Sequence, residues 1–310
     1  MASAPTKNHR SAPGAAVSAE VVKIAGVVIS NPDKVWWPDE GITKADIARF
    51  YDGIWSHVAP WLRDRPLTAE RCPDGMLGGC FYRKDFPEHW QPAGPRLVLR
   101  AASTGKDVRY IVGGSRATLI GMVNLGCIAI HVMTCSAKTI HQVDWLAFDM
   151  DPPESFADAA QAGLALRKVL DEAKLVSYPK TSGSKGLHVF APLRAGVTQQ
   201  DATAVAVALG AELARREPKL VTVEFSKAKR GGRVFADAMR NAFGQTIVAP
   251  YSVRRRPHAP VSTPLAWDEV SPRLDPATFN VRTFERRLAS ADPWSDFWRR
   301  RQALPKTLVG

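Results

Sequence analysis

The sequence predicts an α+β fold, in which short strands pair both antiparallel and parallel and long helices flank the sheets. Apolar residues recur at helical spacing in a few long stretches, whereas the segments between them are short, β-prone and separated by turn residues. Hydrophobic residues make up 45% of the 310 residues, which is enough for a sizeable core. Because strands and helices do not alternate strictly, a purely parallel sheet is not expected.

The helices are recognised by their caps and their periodicity. Thr43 stands as an N-cap with Asp46 three residues later, and apolar residues follow at helical spacing. Ser115 and Ser155 stand in the same position before two later helices. The predicted helices span residues 44–62, 115–126, 155–174, 198–216 and, near the end of the chain, 281–302.

The strands are the short β-prone runs between these helices. Residues 22–30 are the first, and "RPLTAERCPDG" and "CFYRKDFP" are expected to pair around a Pro-Asp-Gly turn. An apolar strand ends at "IAIHVMT" (128–134), and the next ends at the aspartates of "DWLAFDMDPPE" (144–154). Residues 175–193 are predicted as strand, loop and strand, followed by short strands at 220–226, 233–239 and 246–252.

The charge of the chain favours a polyanionic partner. Lys and Arg number 42 against 30 acids, which gives a net charge of +12 and a pI near 9.8. Nucleic acid is the first expectation and an anionic membrane surface the second. No apolar run is long enough for a membrane span, and no secretory signal is recognisable. The four cysteines show neither a CxxC pair nor zinc spacing, so reduced thiols in a cytoplasmic protein are expected.

Asp149 and Asp151 end an apolar run one residue apart. In a strand, residues i and i+2 point to the same face, so the two carboxylates repel each other unless a cation lies between them. A divalent ion such as Mg²⁺ or Mn²⁺ meets that need. The same Asp-x-Asp pattern also occurs in glycosyltransferases and in calcium loops, and an Asp-Pro turn that caps the next helix explains it without a metal.

Asp237 supplies a third carboxylate, at the end of another short apolar run. It is the only acid between Phe225 and Pro257. The basic residues around it are Lys227, Lys229, Arg230, Arg233, Arg240, Arg254, Arg255 and Arg256. An acid in so basic a segment indicates a place where metal and phosphates meet, although a solvated basic face with one ion pair is the plainer alternative.

The loop "TSGSKGLHVF" offers groups suited to phosphate. Its two glycines allow a ligand to approach the backbone closely, and Ser182, Ser184 and Lys185 supply donors for phosphate oxygens. His188 follows in an apolar strand, in reach of a phosphate or a sugar. A simple hairpin with a core histidine remains the alternative.

Taken together, these segments resemble the polymerase domain of bacterial ligase D, the end-joining branch of the archaeo-eukaryotic primase superfamily. The resemblance runs from about residue 24 to 300, through "NPDKVWWP", "GITKADIARFY", "RPLTAERCPDG", "CFYRKDFP", "FDMDPP", "TSGSKGLHVF", "VFAD" and "TIVAPYSVR" in that order. It implies a primase-like core of mixed and antiparallel sheets flanked by helices. One catalytic domain is expected at residues 21–303, between tails at 1–20 and 304–310.

The resemblance also implies a template-dependent nucleotidyltransferase that uses two divalent ions, Mn²⁺ or Mg²⁺. Asp149, Asp151 and Asp237 match its catalytic metal ligands. The residues that match contacts to the incoming nucleotide are His131, Ser182, Lys185, Gly186, His188 and Arg254. The residues that match DNA contacts are Lys34 and Lys44 for a recessed 5′-phosphate, Phe81 and Tyr82 for stacking on the template, and Arg230 on a mobile loop near the active site.

The implied partners are DNA with gaps or break ends and a 5′-phosphate, and NTPs or dNTPs, with ribonucleotides preferred. Ku and a separate DNA ligase are expected beside them, in the cytoplasm at the nucleoid and without a membrane. A primase that starts strands without a primer shares the same acids and stays open. So does a DNA-end-binding module without catalysis. A glycosyltransferase would explain the Asp-x-Asp pattern but not the two lysines.

Two positions depart from the family pattern. After the third acid the family usually carries an aromatic residue and then Gln-Asn, where this chain reads Ala238-Met239-Arg240-Asn241. An acid is common just before His131, where this chain has Ala129-Ile130. Both leave substrate preference open. No ligase or phosphoesterase module is recognisable, so a stand-alone relative or an excised domain is expected.

Overall fold

The computed structural model describes residues 21–89, 94–101 and 104–305. The predicted tail at 1–20 lies outside the described residues, as do residues 306–310. Within these ranges the helices are α1 (Lys44–Gly53), α2 (Trp55–Leu62), α3 (Arg116–Asn124), α4 (Phe156–Glu172), α5 (Gln199–Arg216) and α6 (Phe284–Leu288). None of the helices in this part of the chain has the length and apolar character needed to span a bilayer.

The strands of the described chain form two main sheets and two small hairpins. The hairpins pair β1 (Lys23–Ile24) with β2 (Val27–Val28) and β3 (Val35–Trp37) with β4 (Ile42–Thr43). The first main sheet has the order β11 (Tyr178–Thr181), β12 (Leu187–Pro192), β10 (Trp145–Asp151), β14 (Val234–Asp237) and β13 (Val221–Thr222). The second has the order β15 (Ile247–Val248), β9 (Cys127–Val132), β5 (Pro66–Arg71), β8 (Asp107–Val112) and β7 (Arg96–Arg100), with β6 (Phe81–Arg83) also on β5.

The α+β prediction is confirmed. Both main sheets are antiparallel except where β13 and β14 run parallel. Helices α4 and α5 pack on the first sheet, and α1, α2 and α3 pack with the second. A Cβ at Gly163 of α4 would overlap with the side chain of Leu187, so this glycine lets α4 lie close against β12.

An aromatic cluster joins the two halves of the core. Trp61 of α2 meets Trp294 edge-on at 5.2 Å, and Trp145 of β10 stacks on Phe190 of β12 at 5.5 Å. These side chains are at most 3% exposed. Buried aromatic pairs of this geometry add packing energy beyond the area that they remove from water. Strand β10 is therefore fixed from both sides by the core.

Three predicted elements are shorter than the sequence indicated. Residues 22–30 form the β1–β2 hairpin, because Ala25 and Gly26 have positive φ (47° and 82°) and turn the chain. The helix predicted at 44–62 breaks at Ile54, next to the weak helix former Gly53. Of the helix predicted near 281–302 only α6 forms.

The absence of helix just beyond α6, around residues 292–294, has a local cause. Pro293 disfavours helical backbone at the residue before it, and the Asp292 carboxylate accepts a bond from the Trp294 backbone N–H at 2.8 Å, which stabilises a turn. By contrast, the capping box of Thr43 and Asp46 is confirmed. Ser115 likewise caps α3 by accepting a bond from the backbone N–H of Thr118.

The expectation of reduced thiols is wrong for one pair of cysteines. Cys72 and Cys80 form a disulfide, with their Cα atoms 4.4 Å apart. The reason is the predicted β5–β6 pairing, in which Arg71 lies directly opposite Phe81, so that the next residues of the connecting loop meet. The other two cysteines are free and buried.

Candidate active site

Strand β10 carries Asp149 and Asp151 at its C-terminal end, and its two neighbours bring further polar groups alongside. Asp149 lies directly opposite His188 of β12 and directly opposite Asp237 of β14. Directly opposed residues of adjacent strands share one face of the sheet. The pairing of β10 with both neighbours therefore sets three of the predicted site residues in one row.

Each of the three carboxylates is paired with an arginine. Nε of Arg240 lies 3.1 Å from Oδ2 of Asp237 and 3.4 Å from Oδ2 of Asp149. Nη1 of Arg230 lies 3.0 Å from Oδ2 of Asp151. The sequence analysis expected a cation that offsets the repulsion between these carboxylates, and Arg240 and Arg230 supply positive charge there.

Asp149 and Asp237 respond to their surroundings in opposite directions. Burial alone would raise the pKa of Asp149, but the contact with His188 and the charge of Arg240 outweigh burial and hold that pKa below its ordinary value. Burial raises the pKa of Asp237, although Arg240 opposes the rise. A second carboxylate nearby makes ionisation of both costly, and an added cation relieves that cost.

The three carboxylates fit a divalent metal by the chemistry of their donors. Carboxylate oxygens are the ligands that Mg²⁺ and Mn²⁺ prefer. The side chains of Asp237 and Asp149 are only 9% and 18% exposed, so water solvates their negative charges poorly and a cation is favoured beside them. In the ranges that the structure describes, no three His, Cys, Asp or Glu side chains already stand in an arrangement able to hold one ion.

A cavity of about 320 Å³ opens beside Asp149, between the two main sheets. Its lining residues are Tyr82, His131, Asp149, His188, Arg240, Thr246, Ile247, Val248 and Arg254. His131 reaches it from β9, where it lies opposite Val248 of β15, and the ring of Tyr82 stands edge-on to His131 at 5.3 Å. The fold thus brings together residues from both main sheets. His131, His188 and Arg254 were predicted to contact the nucleotide and Tyr82 the template, and all of them lie beside Asp149.

Several polar atoms at this cavity are buried without a hydrogen-bond partner among the described residues. They are Nε2 of His131, Nδ1 of His188, Nε of Arg254 and Nε of Arg240, the last of which is paired with acids by charge alone. Burial lowers the pKa of His188 to about 4 and holds that of His131 well below its ordinary value, so both rings are neutral at pH 7. An unpaired buried polar atom costs about 1–3 kcal/mol, so a polar ligand in the cavity would relieve this cost.

The Gly-Ser loop between β11 and β12 uses its donors and acceptors within the protein. Oγ of Ser182 accepts bonds from the backbone N–H groups of Ser184 at 3.2 Å and of Gly186 at 3.0 Å. Nζ of Lys185 donates to the carbonyl of Pro153. These residues do not line the cavity of His131, and their nucleotide contacts stay a prediction.

The two glycines of the loop permit close approach to the protein itself. A Cβ at Gly183, whose φ is +70°, would lie 2.5 Å from Cγ of Arg254. A Cβ at Gly186 would lie 2.8 Å from the carbonyl oxygen of Met150. Nη1 of Arg254 in turn donates to the Ser182 carbonyl at 3.0 Å. The loop therefore positions Arg254 at the edge of the cavity.

Lys34 and Lys44 lie together at the start of α1. The backbone N–H of Lys44 donates to the Lys34 carbonyl at 2.9 Å, and Nζ of Lys44 donates to the Ser30 carbonyl at 2.7 Å. Nζ of Lys34 pairs with Asp74 at 2.6 Å. Burial, and then the charge of Lys34, lowers the pKa of Lys44 to about 8. The charge of Lys34 acts on Lys44, so the two lysines lie close enough to bind one anion, which would compete with Asp74 for Lys34.

Phe81 and Tyr82 are exposed, at 44% and 62%. Core packing, the plainer explanation for two adjacent aromatic residues, is therefore excluded. The guanidinium of Arg71 lies 5.7 Å from the centre of the Phe81 ring. Large exposed aromatic surfaces next to cationic side chains suit the stacking of nucleic-acid bases.

Lys180 was missed by the sequence analysis. It is fully buried on β11, opposite His188, and its Nζ lies 2.5 Å from Oγ of Ser262. Burial, and then the charge of Arg254, holds its pKa well below the ordinary value. The available signal was a lysine inside the apolar strand before the Gly-Ser loop, because lysine is almost never fully buried without a partner.

Comparison with known proteins identifies the family. Residues 43–294 match the family described as LigD, primase-polymerase domain. The chain belongs to this family. The resemblance inferred from the sequence is therefore confirmed, and the chain is a nucleotidyltransferase.

Relatives and solved structures agree with this assignment. The multifunctional non-homologous end joining protein LigD of Mycolicibacterium smegmatis is 32% identical over 276 residues, which cover 87% of this chain and 35% of that protein. LigD of Pseudomonas aeruginosa is 31% identical over 303 residues, which cover 95% and 36%. The polymerase domain of Mycobacterium tuberculosis ligase D, solved in complex with DNA, matches with a TM-score of 0.80 and 29% identity over 89% of this chain and 99% of that one. The chain thus spans only 35% and 36% of the two LigD proteins but nearly all of the solved domain.

Proposed function

We propose that this chain fills gaps and extends primers at DNA breaks on a template, by a two-metal reaction that favours ribonucleotides, in non-homologous end joining. The observation that carries the proposal is the direct pairing of Asp149 with Asp237 beside the cavity of His131. An incoming nucleotide in that cavity would lie against Asp149, which stands directly opposite Asp237. The ribonucleotide preference and the end-joining role rest on the family.

The side chains that line the cavity would contact different parts of a bound nucleotide. His131 and His188 are neutral, and each has an unpaired nitrogen. Nε2 of His188 lies 3.3 Å from Oδ1 of Asp149 and carries the ring proton, so its Nδ1 can accept a bond from a sugar hydroxyl. Nε2 of His131 can bond to the sugar or to a phosphate oxygen. Arg254 adds a positive charge at the edge of the cavity, suited to the triphosphate. Asp149 stays ionised at neutral pH. Two divalent ions at Asp149, Asp151 and Asp237 would activate a primer 3′-hydroxyl and neutralise the leaving pyrophosphate.

The DNA would be held outside the cavity. Lys34 and Lys44 take the 5′-phosphate on the far side of a gap, and the exposed rings of Phe81 and Tyr82 stack on the template. Arg230 meets the DNA next to the active site. A separate DNA ligase would seal the product and Ku would bring the ends together, inside the cell at the nucleoid.

The test is primer extension on a short gapped duplex with a downstream 5′-phosphate, with Mn²⁺ or Mg²⁺ and with ribo- or deoxynucleotides. The wild type is expected to extend the primer, and more readily with ribonucleotides. Asp149→Ala and Asp237→Ala should abolish extension and leave DNA binding intact. Asp171→Ala is the matched control, because this acid of α4 is exposed and pairs with Arg167 at 3.7 Å.

Each other outcome points elsewhere. Product from an unprimed template would favour the primase. Tight DNA binding by the wild type without extension under any condition would contradict catalysis and leave an end-binding module.

A further inference from the structure

Arg240 lies between two of the predicted metal ligands. Its Nε is 3.1 Å from Asp237 and 3.4 Å from Asp149, whereas a divalent ion such as Mg²⁺ binds carboxylate oxygens at about 2.0–2.1 Å. A divalent ion held by the carboxylates of Asp149 and Asp237 would therefore come close to the guanidinium group of Arg240. Arg240 would compete with that ion for the same two negative charges.

The hold of Arg240 on the acids is electrostatic rather than directional. Its Nε is buried and makes no well-formed hydrogen bond to any of the described residues. The arginine side chain is also more exposed (33%) than that of Asp149 (18%) or Asp237 (9%). The guanidinium group is thus the member of the cluster most accessible to solvent, and the carboxylates lie deeper.

The backbone beside Arg240 is anchored, so that only its side chain is free to leave. The neighbouring Asn241 is fully buried and bonds through its side chain to the backbone N–H and carbonyl of Ala147 on β10, at 2.8 Å and 2.9 Å. Oδ1 of Asp237 accepts a bond from the Met239 backbone N–H at 2.9 Å. Arg240 also lines the nucleotide cavity, which gives its side chain room to move.

We infer that Arg240 is a resident counter-cation, which neutralises Asp149 and Asp237 in the absence of metal and which the divalent ion must displace. The inference rests on the proposed function, because it takes these acids as metal ligands. It assigns Arg240 a positioning role with a measurable consequence. The arginine keeps the acids in place before the metal arrives, and it raises the metal concentration that the site needs.

The test measures Mn²⁺ binding to the protein alone, without DNA or nucleotide, by isothermal titration and by the paramagnetic resonance signal of free Mn²⁺. Arg240→Gln removes the charge and is expected to bind Mn²⁺ about threefold to fivefold more tightly, as when a cation that competes at a partly exposed ion pair is lost. Arg240→Lys keeps a positive charge and should stay within about twofold of the wild type. Asp149→Ala should lose the binding.

Arg215→Gln is the matched control, because it removes the same charge from an ion pair with Glu212 at the exposed end of α5. Tighter binding by Arg240→Gln alone supports the inference. If the wild type binds Mn²⁺, Asp149→Ala does not, and Arg240→Gln equals the wild type, the inference is overturned while the proposed function stands. If Arg215→Gln tightens binding equally, net charge is the cause and the inference also fails. No binding by any variant overturns both the inference and the proposed metal site.

Discussion

Asn241→Ala is expected to lower the free energy of unfolding by far more than a substitution in a short turn usually does, because Asn241 is fully buried. Its side chain makes three hydrogen bonds: to the backbone N–H of Ala147 at 2.8 Å, to the Ala147 carbonyl at 2.9 Å and to the Ala238 carbonyl at 2.6 Å. The pairing of β10 with β14 covers Asp149 to Asp151 only. Beyond that point, the Asn241 amide takes the place of the missing strand.

The magnitude follows from burial. Asn241 is fully buried, so water replaces the lost bonds only where the surroundings rearrange to admit it. Three hydrogen bonds at about 1 kcal/mol each, and an N–H and a carbonyl left buried without a partner at about 1–3 kcal/mol each, set an upper range near 5–9 kcal/mol. Local relaxation and water entry reduce this, so we expect about 3–5 kcal/mol, a large part of the about 5–15 kcal/mol that stabilises a typical domain.

Asn124→Ala is the matched control. The side chain of Asn124 also makes three hydrogen bonds, to Ser30 N–H at 2.9 Å, to Ser30 Oγ at 3.1 Å and to the Val28 carbonyl at 3.2 Å, but these bonds are accessible to solvent. Water replaces them, so the expected cost is below about 1.5 kcal/mol. Urea unfolding followed by tryptophan fluorescence measures both. Equal losses in the two variants would refute the role of burial in this reasoning.

Three further predictions concern the DNA side of the site and the cysteines. Raising the pH from 7 to 9 passes the pKa of Lys44, which burial lowers to about 8, so the lysine loses its charge and the affinity gained from a 5′-phosphate should fall. The ratio of Kd for gapped duplexes with and without the phosphate measures this. A ratio that does not change with pH in the wild type would count against Lys44 as a 5′-phosphate contact. Lys44→Arg should make the ratio less dependent on pH, because arginine stays charged at pH 9. Phe81→Ala and Tyr82→Ala should each weaken template binding by about 1–3 kcal/mol with little change in Tm, since both rings are exposed, and a large fall in Tm with unchanged binding would show a packing role instead. Denatured protein without reductant should show two reactive thiols of its four cysteines, because the disulfide at Cys72 removes two, and a count of four would disprove it.

Local patterns in the sequence were sufficient for much of the fold. The capping box at Thr43 and the turn between β5 and β6 depend on neighbouring residues only, and both are confirmed. The Cys72–Cys80 disulfide was missed because it depends on the register of that hairpin, which spacing alone does not reveal. The helix predicted near 281–302 failed because the buried Trp294 follows a proline turn, so tertiary packing overrode the helical pattern.

The site shows the same division between local and cross-strand information. That Asp149 and Asp151 share a face follows from the period of a strand, but that Asp237 and His188 flank Asp149 depends on strand order. Strand order is not encoded in any local pattern, so here only the family resemblance anticipated it.

The departure from the family pattern at Arg240 changes the charge of the site, because this arginine pairs with Asp149 and Asp237. Arg240 and Arg230 set two positive charges against the three acids, and Arg254 adds a third at the edge of the adjoining cavity. Such a balance favours a triphosphate over a bare divalent ion. Metal should therefore bind more tightly together with a nucleotide than by itself, while the binding of Mn²⁺ alone stays measurable, because the phosphates attract the arginine away from the acids and share the metal with them.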